Sequence, residues 1–429
     1  MTPTSTLLRT ACAVLLLTAA AHAQNAATFT CAASRSAVPL TAATRYTGAS
    51  GKNFGWDLQA SPTVTGGVCF GDKPFFFSLA EGDGNYQVTL DLGGPVASTL
   101  TVKAESRRLM VYNTAIPAGG SHKVTFNVNV RVPSISHGEP VKLKQREIGA
   151  LDWDGKLTLE FNGDHPSVRS ITIKPIDVPT VYIAGDSTVV DQDKEPWAAW
   201  GQMIPVFFDK SIAISNQAES GETIKSFTGE RRFAKIFSTI KKGDFLLLQF
   251  AHNDQKAGSG FVSIDVYKQL VRTYEAQAKA KGATLIVVSS MNRRAFDETG
   301  HIKQTLGEYP QAMRDIAAED HLGLIDLNAM SKTLFEAMGP EGTLKAFVHY
   351  PANTFPDQPK ELKDDTHFNA YGAYELARCI VQTIEDQKLP LAPFLKPGIP
   401  TFDPAHPDPL ADFHVPASPF VSTDTPYGR

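Results

Sequence analysis

The chain has 429 residues, long enough for two domains. Its apolar share of 42% and charged share of 20% are those of an ordinary globular protein. A formal net charge of −4 supplies no basic field for phosphates and argues against nucleic-acid binding.

The first segment, MTPTSTLLRTACAVLLLTAAAHAQ, joins Arg9 to an apolar run from Ala11 to Ala20 and a small-residue site, Ala21-His22-Ala23. That order predicts a secretory signal peptide over residues 1–23, cleaved after Ala23. The run is too short to span a membrane, and no later segment is long enough, so no membrane span is expected. Cys12 lies inside the run, which argues against a lipid-anchoring cysteine. The expectation is an exported protein, periplasmic or extracellular. In an oxidising compartment Cys31 and Cys69, close in sequence, are the candidate disulfide. Cys379 shares a helical face with Leu376, Ile380 and Thr383 and reads as a buried free thiol.

Residues 24–178 read as an all-β sandwich or jelly roll. YQVTLDLGG puts Tyr86, Val88, Leu90 and Leu92 on one face. KVTFNVNVRV does the same with Val124, Phe126, Val128, Val130 and Val132, and KLTLEFNG with Leu157, Leu159 and Phe161. Such alternation between Gly, Asn and Asp clusters predicts half-buried antiparallel strands. Pro175 and Pro179 bracket a linker, and over residues 179–388 the period changes. Short apolar runs (TVYIA, AISNQ, DFLLLQF, TLIVVSS, GLIDL) alternate with helical stretches, which predicts a parallel α/β sheet. Residues 389–429 are proline-rich and aperiodic, either an extended strap or disordered.

The first apolar run, Val181 to Ala184, ends in Gly185-Asp186-Ser187-Thr188. In an open α/β sheet ligands bind at the carboxyl ends of strands, where Ser187 sits. A following helix N-terminus would favour negative charge on an oxygen there. Ser187 is therefore either a helix cap or a nucleophile. A nucleophilic serine needs a base and the base an orienting group. KELKDDTHFNAYGAYEL offers His367 three residues after Asp364, a spacing that lets the carboxylate reach one ring nitrogen. The same residues could simply start the last helix. Asp403 and His406 repeat the spacing in the tail, where nothing brings them to the sheet edge. Gly221, after the second strand, and Asn253, after the third, are candidate oxyanion donors. No HExxH or paired metal-ligand pattern is present. Trp197, close behind the nucleophile, is a candidate sugar-stacking wall; Trp200, Trp56 and Trp153 read as core.

Gly185-Asp186-Ser187, Gly221, Asn253 and Asp364-x-x-His367, in this order, resemble the four blocks of the SGNH (GDSL-type) hydrolase superfamily. Closer in, AGDSTVVDQ, NQAESGETIKSF, FAHND, HYPANTFPDQ and LKDDTHFNAYGAYELA resemble rhamnogalacturonan acetylesterases. VKAESRRLMV and LTLEFNG resemble the galactose-binding-like β-sandwich that precedes this domain in some bacterial members. The resemblance implies a flavodoxin-like three-layer hydrolase domain with Ser187 as nucleophile, His367 as general base and acid, and Asp364 orienting it. It also implies an oxyanion hole from the Ser187 N–H, the Gly221 N–H and the Asn253 side chain, with no cofactor. Two departures stand out. Ala251-His252-Asn253-Asp254 replaces the usual Gly-x-Asn-Asp, and Gly221-Glu222-Thr223 replaces Gly-Arg-Ser. Glu222 thereby bears on the shape and charge of the substrate groove, and His252 is expected against substrate or a neighbouring carboxylate. The implied function is a secreted serine esterase removing O-acetyl groups from acetylated cell-wall polysaccharide, foremost rhamnogalacturonan. The alternatives are a carbohydrate-binding protein with a non-catalytic hydrolase half, and an esterase for another acyl ester.

Overall fold

The computed structural model describes residues 26–48 and 51–426. The segment read as a signal peptide lies outside the described residues. Two β-sheets pack face to face over the first half. One joins Val38–Pro39, Ala27–Thr30, Ser167–Ile176, Gly84–Leu92 and His122–Val130, with the short strands Thr63–Thr65 and Val68–Phe70 at its side. The other runs Phe54–Asp57, Phe75–Ala80, Lys156–Asp164, Ser98–Ala104 and Arg108–Ile116. Val88, Leu90, Phe126, Val128, Leu157, Leu159 and Phe161 meet between them in one core, as their alternation requires. Val132, expected in the same series, lies beyond its strand. Cys31 and Cys69 are disulfide-bonded at this core, with Cα atoms 5.6 Å apart.

Gly84–Leu92 keeps the expected alternation, with Gln87, Thr89 and Asp91 part-exposed, but several intervening positions of His122–Val130 and Lys156–Asp164 are not solvated. Asn127, Thr158, Glu160 and Asn162 are all buried. Asn127 Nδ2 donates to the carbonyls of Lys210 and Ile212, both at 2.9 Å, because the α/β half docks on this face. The other sheet's outer face is covered by the proline-rich segment, which runs as an extended strap. Lys103 Nζ donates to the Pro416 carbonyl at 2.7 Å, Asn162 Nδ2 to the Ala417 carbonyl at 2.9 Å, and Phe420 packs on Phe76.

The second half is built on five parallel strands: β1 (Thr180–Ala184), β2 (Ala213–Asn216), β3 (Phe245–Leu248), β4 (Thr284–Val288) and β5 (Gly323–Ile325). Their order is β2-β1-β3-β4-β5, so the chain reverses direction across the sheet between β1 and β3. Helices cover both faces. Tyr267, Val271 and Tyr274 of Ile264–Ala280 meet Leu246, Leu248 and Val287 on one side. Leu376, Ile380 and Ile384 of Ala370–Asp386 meet Val181, Ile183 and Leu247 on the other. Cys379 is a buried free thiol on that helix. No helix among the described residues is long and apolar enough to cross a membrane. The switch point between β1 and β3 is where a doubly wound sheet opens a crevice at its carboxyl edge.

Candidate active site

Ser187 sits on a tight turn at that crevice. A Cβ on Gly185 would lie 2.6 Å from Val189 Cγ2 and 3.0 Å from the Gln249 carbonyl, so only glycine lets β1 approach this closely. Asp186 ties the turn internally. Its Oδ1 accepts from the Thr188 N–H (2.9 Å) and hydroxyl (2.7 Å), and its carbonyl from the Val189 and Val190 N–H groups. The helix expected to start here does not form. The chain makes one turn and the next helix is Trp200–Met203, so Ser187 caps nothing and gains no helix dipole.

The hairpin Phe347–Tyr350 with Leu362–Phe368 delivers the partners. His367 Nε2 lies 2.8 Å from Ser187 Oγ, and its Nδ1 lies 3.0 Å from Asp364 Oδ2. All three side chains are buried. Asp364 Oδ1 also accepts the Thr366 N–H (2.8 Å) and the His367 N–H (3.0 Å). Burial alone would raise the Asp364 pKa, but the His367 ring, with these two N–H groups, holds it down to about 2. An ionised carboxylate only accepts, so Nδ1 carries the proton and the Nε2 lone pair faces the serine hydroxyl. The tail copy shows what the same spacing does alone. Asp403 and His406 pair at 2.8 Å, but both are exposed and among the described residues no serine meets the ring.

Gly221 and Asn253 follow β2 and β3 and line one cavity of about 600 Å³. Among the described residues neither the Ser187 N–H nor the Gly221 N–H has an acceptor. Asn253 Nδ2 gives one hydrogen to the Glu222 carbonyl at 3.0 Å and keeps the other. The Ser187 N–H, the Gly221 N–H and one Asn253 amide hydrogen are thus unused, on the loops that follow β1, β2 and β3. Donors on those loops, with a serine hydroxyl that faces a base, are the parts needed to transfer an acyl group through a tetrahedral oxyanion.

Two expected substrate contacts, Trp197 and Glu222, are corrected, and of the two alternatives for His252 the structure shows the carboxylate. Trp197 is buried, stands edge-on to His367 with ring centroids 5.9 Å apart, and donates Nε1 to the Ser422 carbonyl at 3.0 Å. It braces the base beneath the strap and offers no open stacking face. His252 is fully buried, with Nδ1 3.5 Å from Asp186 Oδ2, and burial lowers its pKa. It meets the neighbouring carboxylate, not substrate. Glu222 is turned away from the groove, fully buried, paired with Lys144 and accepting from Ser226 Oγ at 2.5 Å. Of the other tryptophans, Trp200 and Trp56 are core, and Trp153 is buried under Arg131.

Sequence reasoning missed Lys256, Arg107 and Arg108. Lys256 Nζ donates to Asn253 Oδ1 at 2.9 Å. An ammonium has no lone pair, so it dictates which end of the Asn253 amide is oxygen and turns the NH₂ toward the site. Burial, then the Arg293 charge, lowers the Lys256 pKa to about 8. Arg108 pairs with Asp191, and Arg107 with Glu195, each at 2.5 Å; Arg107 also donates to the Gln192 and Trp197 carbonyls. Both arginines stand at a hairpin of the β half, in the VKAESRRLMV stretch, and hold the loop that follows Ser187. No sequence spacing signals this, since the partners are more than 80 residues away. No group of three or more His, Cys, Asp or Glu among the described residues is arranged to hold a metal ion.

A doubly wound sheet that gathers a serine, a histidine and an aspartate in this way fits a carboxylic ester hydrolase. The model of the GDSL-like Lipase/Acylhydrolase family matches residues 183–374. Rhamnogalacturonan acetylesterase RhgT of Bacillus subtilis (strain 168) is 41% identical over 220 residues, which cover 51% of this chain and 93% of RhgT. The probable rhamnogalacturonan acetylesterase YesY of the same organism is 31% identical over 215 residues, 49% of this chain and 94% of YesY. Its uncharacterized esterase YxiM is 26% identical over 317 residues, 72% of this chain and 74% of YxiM. The chain belongs to the GDSL-like lipase/acylhydrolase family.

Proposed function

We propose that the chain is an exported serine acetylesterase that removes O-acetyl groups from plant cell-wall polysaccharide, foremost acetylated rhamnogalacturonan. Ser187 is the nucleophile, His367 the general base and acid, and Asp364 its orienting group. Ser187 Oγ attacks the acetyl carbonyl carbon while its proton passes to His367 Nε2. The carbonyl oxygen takes the negative charge against the Ser187 and Gly221 N–H groups and the Asn253 amide. Collapse breaks the bond to the sugar oxygen, which leaves with the proton from His367. Water, deprotonated by His367, then attacks the acyl-enzyme and releases acetate, restoring Ser187.

The observation that carries this reading is His367 held between Ser187 Oγ at 2.8 Å and Asp364 at 3.0 Å. The intact set also disfavours a purely carbohydrate-binding role. The names of RhgT and YesY support the pectic substrate, and the residue pattern at 1–23 supports export.

The test is acetate release from acetylated rhamnogalacturonan, acetylated xylan and p-nitrophenyl acetate by the wild type and Ser187→Ala. Fast release from the pectic polymer, abolished in the variant, is expected. Activity on the small ester but on neither polymer would overturn the substrate and leave the nucleophile. Wild-type turnover in Ser187→Ala would overturn the nucleophile.

A further inference from the structure

Two cations of the β half reach the loop that carries Gly221. Lys144 Nζ donates to the Ser220 carbonyl at 2.8 Å and pairs with the Glu222 carboxylate. Arg146 donates through Nη2 to the same Ser220 carbonyl and through Nε to Glu219 Oε1 at 2.7 Å. Residues on both sides of Gly221 are thus gripped from the other half of the molecule. The grip is itself anchored. The Lys144 N–H donates to Glu147 Oε2 at 2.8 Å, and the Glu147 carboxylate takes both terminal nitrogens of buried Arg232, at 3.0 and 2.6 Å.

The carbonyl that both cations hold belongs to the peptide joining Ser220 to Gly221, the peptide whose N–H is the candidate oxyanion donor. In a planar trans peptide C=O and N–H point in opposite directions. Two charged donors on the oxygen therefore aim the Gly221 N–H the other way. The surroundings agree with that division. Ser220 and Arg146 line a cavity of about 320 Å³ on one side, while Gly221 and Asn253 line the other cavity. Gly221 has φ +80°, a conformation open to glycine, whose backbone freedom leaves the peptide plane to be fixed from outside. Hydrogen bonds to the carbonyl also polarise the amide and strengthen its N–H as a donor.

We infer that Lys144 and Arg146 are positioning residues for the oxyanion donor of Gly221, so that the β half completes the esterase site. This rests on the reading of Ser187 as nucleophile and Gly221 as donor. It assigns the β half a catalytic purpose that requires no glycan to bind to it.

The test uses the full chain with Lys144→Met, Arg146→Met, the double variant, and the conservative Lys144→Arg and Arg146→Lys. The substrate is p-nitrophenyl acetate, with kcat expressed per Ser187 titrated by a fluorophosphonate, so that misfolded molecules do not enter the rate. Outright loss of one oxyanion donor costs ~10²–10³-fold, so a loosened donor should cost about tenfold in each Met variant and about a hundredfold in the double. KM should stay within about twofold, and the conservative variants should regain most of the rate. Unchanged kcat per titrated site in the double variant would overturn the inference, as would a loss confined to KM. Ser187→Ala runs alongside. If it stays active, the nucleophile reading has failed; if it is dead while the double variant is unimpaired, the brace alone has failed.

Discussion

Replacing Asp364 by asparagine changes one oxygen to an NH₂ and should nearly silence the enzyme while leaving its shape intact. The structure fixes which oxygen changes. Oδ1 accepts the Thr366 and His367 N–H groups at 2.8 and 3.0 Å, so the amide oxygen of the substituted side chain must stay there. The NH₂ then replaces Oδ2, 3.0 Å from His367 Nδ1. A donor facing Nδ1 turns that nitrogen into the acceptor and moves the ring proton to Nε2. Nε2–H now points at Ser187 Oγ and cannot take its proton. Loss of a general base is worth ~10²–10⁴-fold, and the wrong tautomer belongs at the top of that range, about 5.5 kcal/mol in the barrier. Stability should fall less. The Asp364 pKa drops from 3.8 unfolded to about 2 folded, which contributes about 2.5 kcal/mol. Because the folded value is the lower one, that contribution is full above pH ~4 and is lost as pH falls toward 2. The assay is kcat for p-nitrophenyl acetate at neutral pH, with urea unfolding beside it. Asp364→Asn that keeps kcat within tenfold of wild type would refute the tautomer argument.

Two further outcomes follow from the same structure. Lys256 loses its proton above about pH 8, and a neutral amine no longer forces the orientation of Asn253, so wild-type kcat should decline there. The charged groups acting on it are Arg293, Asp186 and Asp364. Lys256→Met should show a lower plateau without that alkaline limb, and an unchanged pH–rate profile would count against the role. Cys69→Ser opens a loop closed over a separation of 38 residues, which in the chain-entropy model removes about 4 kcal/mol of stability. Urea unfolding measures it, and a loss below about 1 kcal/mol would show that the bridge does not constrain the unfolded chain.

The local chemistry of this protein is written in consecutive residues. The period-2 runs around Val88, Phe126 and Leu159 and the switch to buried runs at Val181 depend only on which side chains must leave water. Asp364 and His367 are three residues apart, so their hydrogen bond is a local event, and it forms equally in the exposed copy at Asp403 and His406. What distinguishes the two pairs is a serine 180 positions from His367, brought near because the helix Ala370–Asp386 packs on β1 and Phe368 bridges to Ala198. The same limit explains the errors at Trp197 and Glu222 and the choice left open at His252. All three sit beside the site in sequence, but burial and their partners Ser422, Lys144 and Asp186 decide where each points. Asn127, Thr158, Glu160 and Asn162 read as water-facing because alternation reports one covered face and cannot report a second. Docking of the α/β half and the strap covers it. Lys144 and Arg146 carry no motif at all: a surface lysine and a surface arginine read alike in any sequence. Only tertiary structure sets them on the carbonyl of the Ser220–Gly221 peptide, because hydrogen bonding depends on distances of a few ångströms that residues more than 70 positions apart acquire only when the whole chain packs.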